Sequence, residues 1–77
     1  MLNFEEINKT EIVNIEGESP IRLHVQKLFG MKQYTVYASF VEDDEYLSVG
    51  QSLDPEEAKE VAINNLLENS RMWKSLE

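Results

Sequence analysis

The run QYTVYASFVEDDEYLSVGQSLDPEEAKEVAINNLLEN, from Gln33 to Asn69, decides the fold. Tyr34, Val36, Ala38 and Phe40 alternate with Thr35, Tyr37, Ser39 and Val41, the period of two expected of a half-buried strand. Glu42-Asp43-Asp44-Glu45 interrupts the alternation as an acidic turn. Tyr46 to Leu53 then predicts the next strand, with Leu47, Val49 and Leu53 inward. Asp54-Pro55-Glu56-Glu57 is a strong helix start. Asp54 caps, Pro55 takes the first helical position, where a missing amide is harmless, and Glu57 is placed to close a capping box. The early glutamates also complement the positive end of the helix dipole. Ala58, Ala62, Leu66 and Trp73 share one helical face, flanked by Val61 and Ile63, and the two alanines let the helix sit close to a sheet.

The helix is expected to end near Asn69-Ser70, because one reaching Trp73 would be about 30 Å long and would outrun the strands beneath it. Arg71-Met72-Trp73-Lys74 then reads as a basic, aromatic stretch, with residues 71–77 a flexible tail.

Upstream, Ile21, Leu23 and Val25 alternate with Arg22, His24 and Gln26, a third strand that Pro20 can precede at little cost. Gly30 marks the bend that follows. Strands joined by short turns make an antiparallel meander. The N-terminal region admits two readings. In the first, Asn3 and Glu6 cap a helix whose residues Phe4, Ile7, Ile12 and Ile15 fall within about 140° of arc, with Gly17 as its stop. In the second, a short helix through Lys9 gives way to a strand, because Ile12-Val13-Asn14-Ile15 is β-branched, and that strand turns at Gly17-Glu18-Ser19-Pro20. The fold expected is α+β, one small domain over residues 1–77: a three-stranded antiparallel meander packed by a C-terminal helix. An N-terminal helix completes it, the alternative being a short helix plus a fourth strand.

The 77 residues lie near the lower limit for a self-sufficient core, so a partner or a second copy would add useful burial. With no cysteine, neither disulfides nor thiolate metal sites can brace the chain. The first residues carry early acids and no apolar run, unlike a signal peptide, and no stretch approaches the roughly 20 apolar residues that span a bilayer. A cytoplasmic protein without membrane association is expected. Fifteen Asp/Glu against seven Lys/Arg give a net charge of −8, so a polyanion is repelled on average and direct nucleic-acid binding is disfavoured.

The order strand-strand-strand-helix, with Asp54-Pro55-Glu56-Glu57-Ala58-Lys59 followed by Ala62, Leu66 and Leu67, resembles the double-stranded-RNA-binding domain over residues 34–67. Gly50 stands near the glycine-rich end of that family's third strand. The resemblance implies the α-β-β-β-α architecture. It also implies that the family's phosphate-gripping lysines at the helix start would fall here on Pro55 and Glu56, with only Lys59 keeping its sign. A glutamate facing a phosphate is repulsive, so the likeness supports the fold and counts against the activity. A fainter similarity, an acidic hairpin before a Glu-Ala-containing helix, links the chain to antitoxins of the HicB type.

No catalytic frame surrounds His24, the single histidine, or the scattered serines, so no enzyme, cofactor or metal is expected. Glu42-Asp43-Asp44-Glu45 lacks the alternating spacing and the glycine of a calcium loop. The open sheet face is expected to carry Arg22, His24, Thr35, Tyr37, Val41, Tyr46 and Ser48. Tyr37 and Tyr46 there suit an interface centre or a homodimer seam, or simply pair across strands. The turn acids and Glu56, Glu57 and Glu60 fall at opposite ends of the sheet, roughly 25 Å apart at about 3.4 Å per residue. The function expected is a small acidic regulator or inhibitor. It would engage a basic protein, one that itself binds nucleic acid being the sharper case, through Glu42, Asp43, Asp44, Glu45, Glu56, Glu57 and Glu60, in the manner of small viral proteins that imitate nucleic acid. The alternatives are a nucleic-acid-binding module working through Lys59, Arg71, Trp73 and Lys74, and an antitoxin-like subunit.

Overall fold

The computed structural model describes residues 7–27, 30–43 and 45–75. Four strands, β1 (Ile7–Val13), β2 (Ile21–Lys27), β3 (Tyr34–Phe40) and β4 (Leu47–Ser52), form one antiparallel sheet in sequence order. One helix, α1 (Pro55–Ser75), lies across one face, over β4 and β3 and reaching β2. The class is therefore α+β.

Of the two N-terminal readings, the structure takes a strand. Residues 7–13 pair with 21–27 along their whole length, so the helical stripe through Ile7 and Ile12 does not form. The two β-branched residues that close this segment favour a strand, and a neighbouring strand with free hydrogen-bonding groups decides the matter. The strand starts earlier than Ile12, so no helix occupies residues 7–9. The cap expected at Asn3 and Glu6 lies outside the described residues. Gly17, expected as a helix stop or a turn residue, is a turn residue. Glu18 N donates to Ile15 O at 3.0 Å, and Gly17 sits at the position where a type II turn needs a positive φ, here +84°.

The core forms between the inward rows of β2 and β3 and a stripe on α1. Ile21, Leu23, Val25, Val36, Ala38 and Phe40 meet Ala58, Ala62 and Leu66, and all are buried. The stripe continues at Ser70 rather than stopping at Asn69, and the helix runs on to Ser75. Ser70 is small enough to remain buried where a bulkier residue would lift the helix end. Val61, expected beside the stripe, is exposed, whereas Ile63 and Leu67 pack against the core. The side chain of Trp73 lies outside the described residues.

β4 reverses the expected parity. Leu47, Val49 and Leu53 are 55%, 42% and 68% exposed, and the positions turned to the helix are Ser48, Gly50 and Ser52. The cause is the closeness of α1. A Cβ at position 50 would stand 3.1 Å from Ala62 Cα and closer still to the Ala58 carbonyl oxygen and the Ala62 amide nitrogen. Only a glycine flanked by small residues allows that approach, so the apolar side chains of β4 are turned out. Asn69 Nδ2 donates to Ser48 Oγ at 3.2 Å, giving this buried hydroxyl a partner.

The cap at Asp54 forms, with Glu56 N donating to Asp54 Oδ1 at 3.2 Å and Ala58 N to Asp54 O at 3.0 Å. The capping box does not use Glu57, because the Asp54 amide donates instead to Ser52 Oγ at 3.2 Å. No helix among the described residues is long and apolar enough to cross a membrane.

Candidate functional site

The fold sorts its charges by surface. On α1, Glu56, Glu57 and Glu60 are exposed in the first turns, and Glu68 extends the row along the solvent side at helical spacing. At the other end of the sheet, Glu42, Asp43 and Glu45 are exposed around the β3–β4 turn, while Asp44 lies outside the described residues. Asp43 also serves the turn itself, its Oδ1 accepting the Glu45 amide at 3.1 Å.

The meander brings a further acid to this end. The β1–β2 turn lies beside the β3–β4 turn, so Glu18 joins Glu42 and Asp43 around a cleft of about 160 Å³. Phe40 and Tyr46 supply its aromatic walls, and Ser19 and Ser70 complete it. Nothing local in the sequence marks Glu18. Only a strand at residues 7–13 places that turn beside the acidic one.

Tyr46 is therefore not on the open face with Tyr37. It packs against the core on the helix side, and Ser48 is buried there too. Tyr37 stands opposite His24 and Val49, so no cross-strand Tyr37–Tyr46 pair exists. Because residues opposite one another in an antiparallel ladder share a face, the open face is three rows across the sheet. They are Ile12, Arg22, Ser39, Leu47; then Thr10, His24, Tyr37, Val49; then Asn8, Gln26, Thr35, Gln51. Thr10 Oγ1 and His24 Nδ1 share a hydrogen bond of 3.0 Å, the His24 and Tyr37 rings lie 6.4 Å apart and tilted, and Gln51 Nε2 donates to Thr35 Oγ1 at 3.3 Å. The surroundings of Tyr37 are not acidic: none of these twelve positions holds an Asp or Glu, and Arg22 is their one Lys or Arg.

Lys59 does not stand free at the helix start. Its ammonium pairs with Glu11 of β1 and donates to Glu56 Oε1 at 3.4 Å. The bond from Lys59 lowers the Glu11 carboxyl below its ordinary value, and the same bond raises Lys59. The backbone of α1 does not approach β1, and this pair ties the two together, while Val13 of β1 packs against the shared core. Arg71 is exposed, and the side chain of Lys74 lies outside the described residues. Among the described residues, no three His, Asp or Glu side chains converge as a metal site would require.

Comparison with family models, with curated proteins and with solved structures finds no match.

Proposed function

We propose that the protein is a non-enzymatic regulator or inhibitor that binds a basic protein through its acidic turn end, with the acidic row of α1 as a second contact line. The observation that carries this reading is the cleft at the turn end. Glu18, Glu42 and Asp43 line it together with Phe40 and Tyr46, in a volume of about 160 Å³. That volume compares with the roughly 150 Å³ cavity that accepts benzene, so a lysine or arginine head fits. A cation there gains from both carboxylates and rings, the ring contribution being about 0.5–2 kcal/mol.

A partner that presents several basic side chains can meet the turn end and the α1 row together. The turn end and the first-turn acids Glu56, Glu57 and Glu60 lie roughly 25 Å apart, a span over which a nucleic-acid duplex carries many charges, and Glu68 stands between them on α1. A nucleic-acid-binding protein is therefore the favoured class of partner, and the protein would occupy its binding surface as a mimic. The nucleic-acid-binding alternative is less favoured, since Lys59, the one cation kept at the helix start, is already paired.

Affinity capture from a bacterial lysate at low and at moderate salt tests the reading. The expected catch is a basic protein whose recovery falls as salt rises. Recovery of nuclease-sensitive RNA or DNA instead would contradict it.

A further inference from the structure

We infer that the open face of the sheet is the seam of a homodimer, in which two copies pack face to face with their strands antiparallel. In a chain of net charge −8 with fifteen acids, the twelve strand positions of this face hold no carboxylate and a single arginine. Of the apolar side chains turned out of the core, Val49 stands opposite Tyr37 and Leu47 diagonal to it, and Ile12 lies on the same face at the β1 edge. Depletion of charge around aromatic and aliphatic groups is the composition of an interface centre.

The occupant follows from charge and area. A basic partner would find no carboxylate on this face, and a polyanion would find one cation beneath a strongly acidic molecule. A second copy meets neither penalty. Sheets stacked about 10 Å apart, each with a helix about 10 Å thick on its outer side, hold the two α1 acid rows about 30 Å apart. That is more than three Debye lengths at physiological salt, about 8 Å each, so the α1 acids of the two copies scarcely oppose each other. Four strands about 4.8 Å apart and about 23 Å long present roughly 400 Å² in projection. Side-chain relief raises the area buried by two copies to roughly 1,000 Å², the lower limit for a specific interface.

The edges of the sheet are less suited to a second copy. On β4 the Asn65 amide donates to the Val49 carbonyl oxygen at 3.1 Å, and β1 places Lys9 and Glu11 on the helix side, where charges discourage strand addition.

The turn acids set the orientation. With strands antiparallel across the seam, the acidic ends of the two copies lie at opposite ends. Each acidic end then lies over the far end of the other copy, where the hollow of about 310 Å³ is lined by the uncharged Gln26, Gln33, Thr35, Tyr37 and Gln51 rather than by acids. The row Thr10, His24, Tyr37, Val49 lies on the two-fold axis.

Sedimentation equilibrium from micromolar to near-millimolar concentration, joined to crosslinking of single-cysteine variants with a short bis-maleimide, tests the seam, because thiols on sheets stacked about 10 Å apart are too distant for a direct disulfide. The chain has no cysteine of its own, so crosslinks report the introduced residue alone. The expected results are twice the chain mass, ready crosslinking of Tyr37→Cys or Val49→Cys, and none of Val61→Cys on the exposed side of α1. Val49→Glu, with far-UV circular dichroism unchanged, should weaken the dimer at least about tenfold. A monomer throughout the range, a dimer unaffected by Val49→Glu, crosslinking through position 61 alone, or oligonucleotide occupying the face of a monomer would overturn the inference. Partner capture by the acidic end is a separate readout, so either proposal can fail alone.

Discussion

Gly50 of β4 lies directly beneath Ala62 of α1, so close that the space a Cβ would need is taken by the helix backbone. This contact explains why the serines and glycine of β4 face the core, why Leu47 and Val49 face outward, and hence why the open face is apolar.

Gly50→Ala should therefore destabilise the fold. A strand glycine ordinarily gains from alanine, but here the methyl group meets backbone that cannot rotate away, and overpacking costs about 1–3 kcal/mol. Urea unfolding should show a lower midpoint. An unchanged or raised midpoint would mean that α1 sits farther from β4.

Leu66→Ala and Leu53→Ala separate the observed core from the one that alternation suggests. Leu66 is fully buried and should lose about 2–5 kcal/mol. Leu53, 68% exposed, should lose less than about 0.5 kcal/mol. Comparable losses at both would refute the reversed parity of β4.

Asp54→Ala removes the acceptor of the Glu56 amide and should cost about 1 kcal/mol. Glu57→Gln should cost far less, since the Asp54 amide is satisfied by Ser52. Chemical denaturation of the two variants side by side checks the order.

Glu11→Gln cuts the tie to Lys59. Both side chains keep some solvent contact, 33% for Glu11 and 22% for Lys59, so the loss near neutral pH should not exceed about 1 kcal/mol. The hydrogen bond from Lys59 holds the Glu11 carboxyl below its ordinary 4.5, so its contribution is present above that value and disappears as pH falls through the lowered one. Lys59 is raised above 10.5 by the same bond, so its contribution is full below 10.5 and is lost as pH rises beyond the raised value. Unfolding curves of wild type and Glu11→Gln should differ at neutral pH and converge in acid. A gap that does not change with pH would show that the pair contributes nothing through charge.

How far the sequence could be read depended on what each element touches. β2 and β3 have one face under the helix, so Ile21, Leu23, Val25, Val36, Ala38 and Phe40 alternate cleanly and identify themselves. β4 misleads because closeness to α1 selects small residues, so the apolar letters mark the outward face. β1 misleads for another reason. It lies beyond the helix backbone, and its inward row holds Lys9 and Glu11, so no apolar alternation reveals it. The helix start was legible because a cap is local, although Ser52 took the part expected of Glu57. Of the acidic end, the exposed acids Glu42, Asp43 and Glu45 could be read directly. Glu18 and Tyr46 could not, because topology alone carries them to the same cleft.

Binding of a cationic side chain in the acidic cleft is read out by an amide-resolved NMR titration with a short arginine-rich peptide at low and at moderate salt. Saturable shifts are expected at Glu18, Ser19, Glu42, Asp43, Tyr46 and Ser70, weaker as salt rises and lost in Asp43→Lys. Shifts spread evenly over every exposed carboxylate, or confined to the α1 row and unchanged in Asp43→Lys, would contradict it.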